Sequence, residues 1–312
     1  MSKFTLIFLI VFFYFPGSSQ KTTSTTDLEK AATQSFSHGD YDRAIADFTR
    51  VIELTSDLNG GSLPHDARSK NDLRTTEKDN EISSVRVIDP RTAVAYVNRG
   101  RAYLAKGQKS DAVADFDRAL RISPSLSTAY FFRGNIFLQD EKLDLAAADF
   151  DRFIKLQPKK FEGYVGRGMA RLGLGNNQGA IEDLNDAVNI EAKTALPFYF
   201  RGEAHRKTGD MKLALVDFEK ASSLDPKYAD AYLGRGLIYL ENLAMEKAIN
   251  DFTAAIALNN SLSRAYANRG LTLLGAGRKA EANADFEKLA ILDPAMRAEI
   301  EGTIRTFSKD KR

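Results

Sequence analysis

From Ala93 onward the apolar positions recur on a fixed ruler. Tyr96, Gly100 and Tyr103 stand at i, i+4 and i+7, the spacing of one helical face. Ala112, Phe116 and Ala119 repeat that spacing after a break at Gly107. Pro124 then stops the second run. The whole pattern returns every 34 residues: the Arg of an Arg-Gly pair stands at 99, 133, 167, 201, 235 and 269, and an Asp at 115, 149, 183, 217, 251 and 285. Each unit therefore predicts two short amphipathic helices joined by a tight turn, and a fixed period of this length predicts a stacked, all-α repeat architecture. Gly in a helix interior costs about 1 kcal/mol, so its return at six equivalent places calls for a close approach of the two helices, with Ala112 as the small partner of Gly100. The segment "GLGNNQG" from Gly173 follows a helix and lacks the Lys-Ser/Thr of a phosphate loop, so it reads as an inter-helix turn.

The phase divides the chain. Six units fill 93–296 without a gap. A further unit occupies 25–58, where "AATQSFSHGDYDRAIADFTRVIEL" from Ala31 places Asp47 two periods before Asp115, with Ala31 and Ala32 in the Arg and Gly slots. Residues 59–92 are a polar insertion or a decayed repeat; low hydrophobicity favours the insertion, while "EISSVRVIDP" keeps phase with "DFDRALRISP". Residues 297–312 read as a capping helix, since Met296, Ile300, Ile304 and Phe307 share a face.

These positions resemble the tetratricopeptide repeat: aromatic, Gly, aromatic, Ala, Phe, Ala and Pro, here Tyr96, Gly100, Tyr103, Ala112, Phe116, Ala119 and Pro124. Two features depart from the family's pattern: the first aromatic is never Trp, and the residue before Gly is Arg where the family more often has Leu. The resemblance implies a right-handed α-solenoid with a concave groove that takes protein or peptide partners. The family's carboxylate clamp needs a Lys, Asn and Arg set that Asn98 and Asn135 do not have beside them.

Composition narrows the function. With 44 Lys and Arg against 42 Asp and Glu, nothing pulls the chain toward nucleic acid. No cysteine is present, which excludes disulfides, thiolate metal sites and thiol nucleophiles. No catalytic or metal-binding motif occurs, so no catalytic residue, metal ligand or cofactor is assigned and the chain is read as non-enzymatic. Of the three histidines only His205 lies in a well-formed repeat, in the slot of Tyr103 and Tyr239, as a substituted core aromatic. The N-terminus has one Lys ahead of an apolar run, Phe4–Phe15, then Pro16, Gly17, Ser18 and Ser19. That is the layout of a signal peptide over 1–19. A helix of the run would span about 18 Å against roughly 30 Å of hydrocarbon. Export follows, periplasmic or secreted with a bacterial envelope favoured, and membrane attachment arises only if the segment stays uncleaved.

Two readings fit the repeated Arg: a polyanion-binding row, or a ladder of Arg–Asp pairs at repeat junctions, favoured because guanidinium is weakly hydrated and bidentate. The ladder expects Asp149 or Asp183 beside Arg167, and Asp217 or Asp251 beside Arg235, with Arg167→Leu tolerated better than Asp183→Leu. The helical face opposite Tyr96 is expected to line the groove. Its slots hold Asn98, Phe132, Phe200 and Asn268, and Arg101, Asn135, Met169, Glu203, Leu237 and Leu271, with Gly166 and Gly234 leaving gaps beside the two Phe residues. The function read from this is a scaffold binding an extended, partly apolar segment; the alternatives are a structural spacer in an envelope assembly, or the accessory arm of an enzyme. On this reading Phe132→Ala with Phe200→Ala removes binding and leaves melting nearly unchanged.

Overall fold

The computed structural model describes residues 24–56 and 89–309, with side chains to residue 305. The expected leader over 1–19 and most of the 59–92 segment lie outside the described residues. Within them the chain is a series of helical hairpins without a strand. The first hairpin is α1 (Thr25–Ser37) and α2 (Tyr41–Ser56). Six more follow: α3 (Pro90–Ala105) with α4 (Lys109–Ile122), α5 (Ser127–Gln139) with α6 (Leu143–Leu156), and α7 (Phe161–Gly173) with α8 (Asn177–Ile190). Next come α9 (Ala195–Lys207) with α10 (Met211–Leu224), α11 (Ala229–Glu241) with α12 (Met245–Leu258), and α13 (Ser263–Gly275) with α14 (Lys279–Leu292). The C-terminal segment forms two helices where one was expected, α15 (Pro294–Glu299) and α16 (Glu301–Lys309).

Local chemistry sets the ends of these helices. Asp89 caps α3 by accepting from the Arg91 backbone N–H, with Pro90 in the first turn, where its missing donor costs nothing. Asn176 and Asp210 cap α8 and α10 in the same way, accepting from the N–H of Gly179 and Leu213. Each hairpin turn needs one left-handed residue. Gly supplies it at 39, 107, 175, 209 and 277, with φ of 76 to 84°. Glu141 and Leu243 take the same conformation at φ 56° and 59°.

The core explains the helical glycines. A Cβ at Gly100 would lie 2.8 Å from the Phe116 ring, and one at Gly236 would lie 2.7 Å from Phe252. Phe116, Phe150, Phe218 and Phe252 are fully buried, and Leu184 replaces them in the fourth repeat. The ring of the second helix thus rests on the bare backbone of the first.

Stacking gives the solenoid an inside and an outside. Each first helix brings Cα atoms within 8 Å of the first helix of the next repeat, whereas successive second helices do not approach that closely. The first helices therefore line the inner, concave side. Helix α2 packs directly on α3, and the Thr92 and Thr55 hydroxyls are hydrogen-bonded at 2.8 Å in the core between them. At the far end Ile300 and Ile304 cover the cluster of Leu273, Leu274 and Phe286. No described helix is long and apolar enough to cross a membrane.

Gly236→Ala is expected to destabilise the protein by about 1–3 kcal/mol through overpacking against Phe252, despite the better helix propensity of Ala. Thermal melting followed by circular dichroism reads this out; an unchanged or raised melting temperature would remove the close-approach explanation for Gly.

Candidate interaction surface

The six repeated arginines hold the inner helices in place. Each pairs in bidentate fashion with the Asp 16 residues later, on the second helix of its own repeat: Arg99 with Asp115, Arg133 with Asp149, Arg167 with Asp183, Arg201 with Asp217, Arg235 with Asp251 and Arg269 with Asp285, at 2.6–3.2 Å. The ladder is present, and Asp183 and Asp251 are the partners of Arg167 and Arg235. The pair lies within a repeat, however, and the junction is made by the remaining nitrogen. Nη1 donates back to the second helix of the preceding repeat: to Thr49 (3.0 Å), Asp117 (2.5 Å), Asp151 (3.0 Å), Asn185 (2.9 Å), Ser222 (3.4 Å) and Thr253 (3.0 Å). One guanidinium so joins three helices and two repeats. Five of these arginines also lie over the aromatic ring three residues earlier, as Arg235 does over Tyr232 at 5.3 Å. With their charges spent on Asp, they do not form a polyanion-binding row.

The Asp is the deeper partner. The Asp251 side chain is 9% exposed and that of Arg235 is 22% exposed. Hydrogen bonding to Asp251 raises the Arg235 pKa, whereas burial pushes the Asp149 and Asp183 carboxyls up against the pull of Arg133 and Arg167. His205 fits the core-aromatic slot expected for it, 3.9 Å from Asp217, and burial lowers its pKa. It borders an outer cleft of about 280 Å³ with Asn185, Leu213 and Val216.

All ten residues expected in the groove lie on the inner helices, but none stands fully in solvent. Phe132 stacks on the buried Phe116 ring at 6.0 Å and 15°, and Phe200 packs against the Leu184 cluster. Met169 joins that same cluster, and Leu237 the cluster of Leu233 and Phe252. Leu271 shares a cluster with Ile300 and Ile304 of the C-terminal helices. Asn135 and Asn268 donate to the carbonyls of Phe131 and Arg264 on their own helices. Glu203 is bound by Arg206 at 3.0 Å. The gaps expected at Gly166 and Gly234 do not exist. Phe150 and Phe218, from the preceding repeats, fill both places, and an added Cβ would meet their rings at 2.4 and 2.6 Å. Phe132 and Phe200 are thus half core, so their truncation lowers melting as well as changing the groove.

Sequence reasoning missed the neighbours of those two rings. Phe131 and Tyr199 sit edge-on to Phe132 and Phe200 at 5.6 and 5.0 Å, so the third and fifth repeats each carry an aromatic pair. Tyr199 also meets Tyr228 at 5.0 Å, and burial pushes both hydroxyls well above the usual range. The doublets Phe131-Phe132 and Tyr199-Phe200, 68 residues apart, were the available signal.

Models of the tetratricopeptide repeat match residues 93–126, 131–197 and 202–242. A tetratricopeptide repeat protein from Parabacteroides merdae superposes with a TM-score of 0.64 at 16% identity, over 91% of this chain and 96% of that one. A chain of the APC/C hetero-tetramer Cut9–Hcn1 gives 0.62 at 16% identity, covering 92% of this chain and 57% of its own. Pseudomonas aeruginosa pilF gives 0.57 at 17% identity, over 65% and 92%. These likenesses are of fold. No curated protein matches the sequence.

Arg235→Leu, which strands the buried Asp251, is expected to cost about 3–5 kcal/mol. Asp251→Leu leaves an arginine that can reach water and should cost less, the reverse of the order that sequence alone suggests for Arg167 and Asp183. The double variant should be more stable than Arg235→Leu alone. Denaturant unfolding of the three variants tests this, and Asp251→Leu proving the worst would refute it.

Proposed function

Because the chain belongs to the tetratricopeptide-repeat family, whose repeats indicate a protein–protein interaction scaffold, we propose that it is a non-catalytic scaffold that binds an extended protein segment along its inner face. One observation carries this reading. The inner helices present Phe132, Met169, Phe200 and Leu237, each only partly buried, in consecutive repeats. Partly exposed apolar side chains in a row mark a surface that gains from being covered. Polar groups near the two ends, Asn98 and Arg101 at one and Asn268 at the other, would hold the backbone of an occupant. A further part of the proposal is that the chain is exported, on the strength of the apolar run Phe4–Phe15 ahead of small residues.

The test is capture of a partner from a native envelope fraction, identification by mass spectrometry, and binding measured with the purified pair. Phe132→Ala with Phe200→Ala should weaken binding at least tenfold at a temperature where circular dichroism shows both proteins folded. Leu213→Glu with Val216→Glu, on the outer surface, should leave it unchanged. The reverse outcome would move the binding face to the outside. The intact mass of the captured scaffold should begin at Gln20; a full-length chain in the cytosol would end the export reading.

A further inference from the structure

Every partly buried arginine among the described residues has a carboxylate within salt-bridge distance, except Arg101. A guanidinium drawn out of water without a counter-ion is costly, so the way this one is held is informative. Its carbon lies 5.1 Å from the centroid of Phe36 on α1 and 5.2 Å from that of Phe132 on α5. The arginine itself is on α3, so rings from the repeats on either side flank it. Rings cover the faces of a guanidinium and leave the N–H groups of its edge free. One of these donates to Asn98 Oδ1 at 3.3 Å. Among the described residues Asn98 Nδ2 donates no hydrogen bond in turn.

The cleft beside this group has a volume of about 200 Å³ and is walled by Val94, Val97, Leu126 and Phe132, with Asn98, Arg101 and Thr128. That is below the roughly 300–1,000 Å³ of small-molecule sites and suits a single side chain. Val94 is 48% exposed, so the cleft opens to solvent. The arrangement pairs a cation that lacks its anion with an aliphatic recess directly beside it.

We propose that the Phe36–Arg101–Phe132 stack and its adjoining cleft form a subsite for an acidic side chain that sits next to an aliphatic one in a partner protein. The carboxylate accepts from the guanidinium edge and from Asn98 Nδ2, and the aliphatic side chain enters between Val94, Val97 and Leu126. Charge complementarity selects the acid, since a carboxylate supplies what Arg101 alone among its peers lacks. The neighbouring aromatic faces keep the guanidinium plane fixed before binding, which lowers the ordering cost. The assignment rests on the inner-face reading for its biological use, but the chemistry of the subsite stands apart from it.

The experiment uses the full chain and two small probes with amidated C-termini, so that only the side chain differs in charge: the α-amides of N-acetyl-leucyl-glutamate and N-acetyl-leucyl-glutamine. The Arg101 Nε–Hε resonance, assigned by its loss in Arg101→Lys, is followed during titration. The glutamate probe should shift it saturably, with at least tenfold tighter binding than the glutamine probe, and added salt should weaken the effect. Arg101→Gln and Asn98→Ala should each reduce the affinity at least fivefold while the melting curve stays cooperative. Equal shifts from both probes, or undiminished glutamate binding by Arg101→Gln, would overturn the proposal. If Arg101→Gln fails to fold, Asn98→Ala and Val94→Glu decide: neither weakening the glutamate probe refutes the subsite. Loss of partner capture by the Phe132/Phe200 variant with an intact response to the probe would separate the two readings.

Discussion

The solenoid depends on a single guanidinium used three ways. Two of its nitrogens, Nε and Nη2, donate to the Asp of its own hairpin, and the third, Nη1, donates back to the hairpin before it. A hydrophobic interface between repeats can slide, because apolar contact is non-directional. A planar fork with fixed donors cannot. Arg167, tied to Asp183 and Asp151, fixes both the opening of its hairpin and the register of that hairpin on its neighbour. Burial makes the device demanding, since the buried Asp must keep its partner. The first repeat shows the converse. It has Ala31 where the Arg would be, and its Asp47 lies only partly buried, with Arg43 at 3.9 Å.

Most of the fold was legible in the sequence, because stacking writes the same residues at the same interval. The 34-residue ruler gave the hairpins, the small residues gave the face where helices meet, and the 16-residue offset between Arg and Asp held the ladder. What the ruler could not give was which Asp belongs to which Arg, since offsets of 16 and 18 are both compatible with contact in a repeating array. It also said nothing of the third hydrogen bond, although Thr49, Asp117, Asp151, Asn185 and Thr253 all fill one slot with an acceptor.

The groove was harder to read for a specific physical reason. A helical wheel describes one helix, and whether a residue is buried depends on what the neighbouring repeat sends toward it. Gly166 and Gly234 appeared to leave space, yet each is the floor on which a ring from the preceding repeat rests. Where the slot holds Phe132 instead, that ring shares the space with Phe116 and is pushed toward the groove. Phe at this slot and the aromatic residue before it thus go together, and the inner face alternates between aromatic pairs in the third and fifth repeats and glycine floors in the fourth and sixth. The invariant positions are consumed by stacking, so recognition falls to the few slots where the repeats differ.

The junction between the first and second repeats shows how far this stacking tolerates interruption. Elsewhere four residues connect one hairpin to the next, as in 123–126 and 157–160, whereas 57–89 join α2 to α3. A flexible connection about eightfold longer would add three doublings, or about 2 kcal/mol of closure entropy. The junction has contacts that act against it. The Thr92 and Thr55 hydroxyls meet at 2.8 Å, both fully buried, and Arg99 crosses to Thr49 at 3.0 Å. Since every junction has a counterpart of the Arg99 bond, the Thr92–Thr55 bond is the added contact, and at about 1 kcal/mol net it offsets part of such a cost. The first repeat can therefore stack as a neighbour in space although it is remote in sequence, and in doing so it brings Phe36 alongside Arg101. The interruption in the ruler and the stacked arginine on the inner face are then consequences of the same junction.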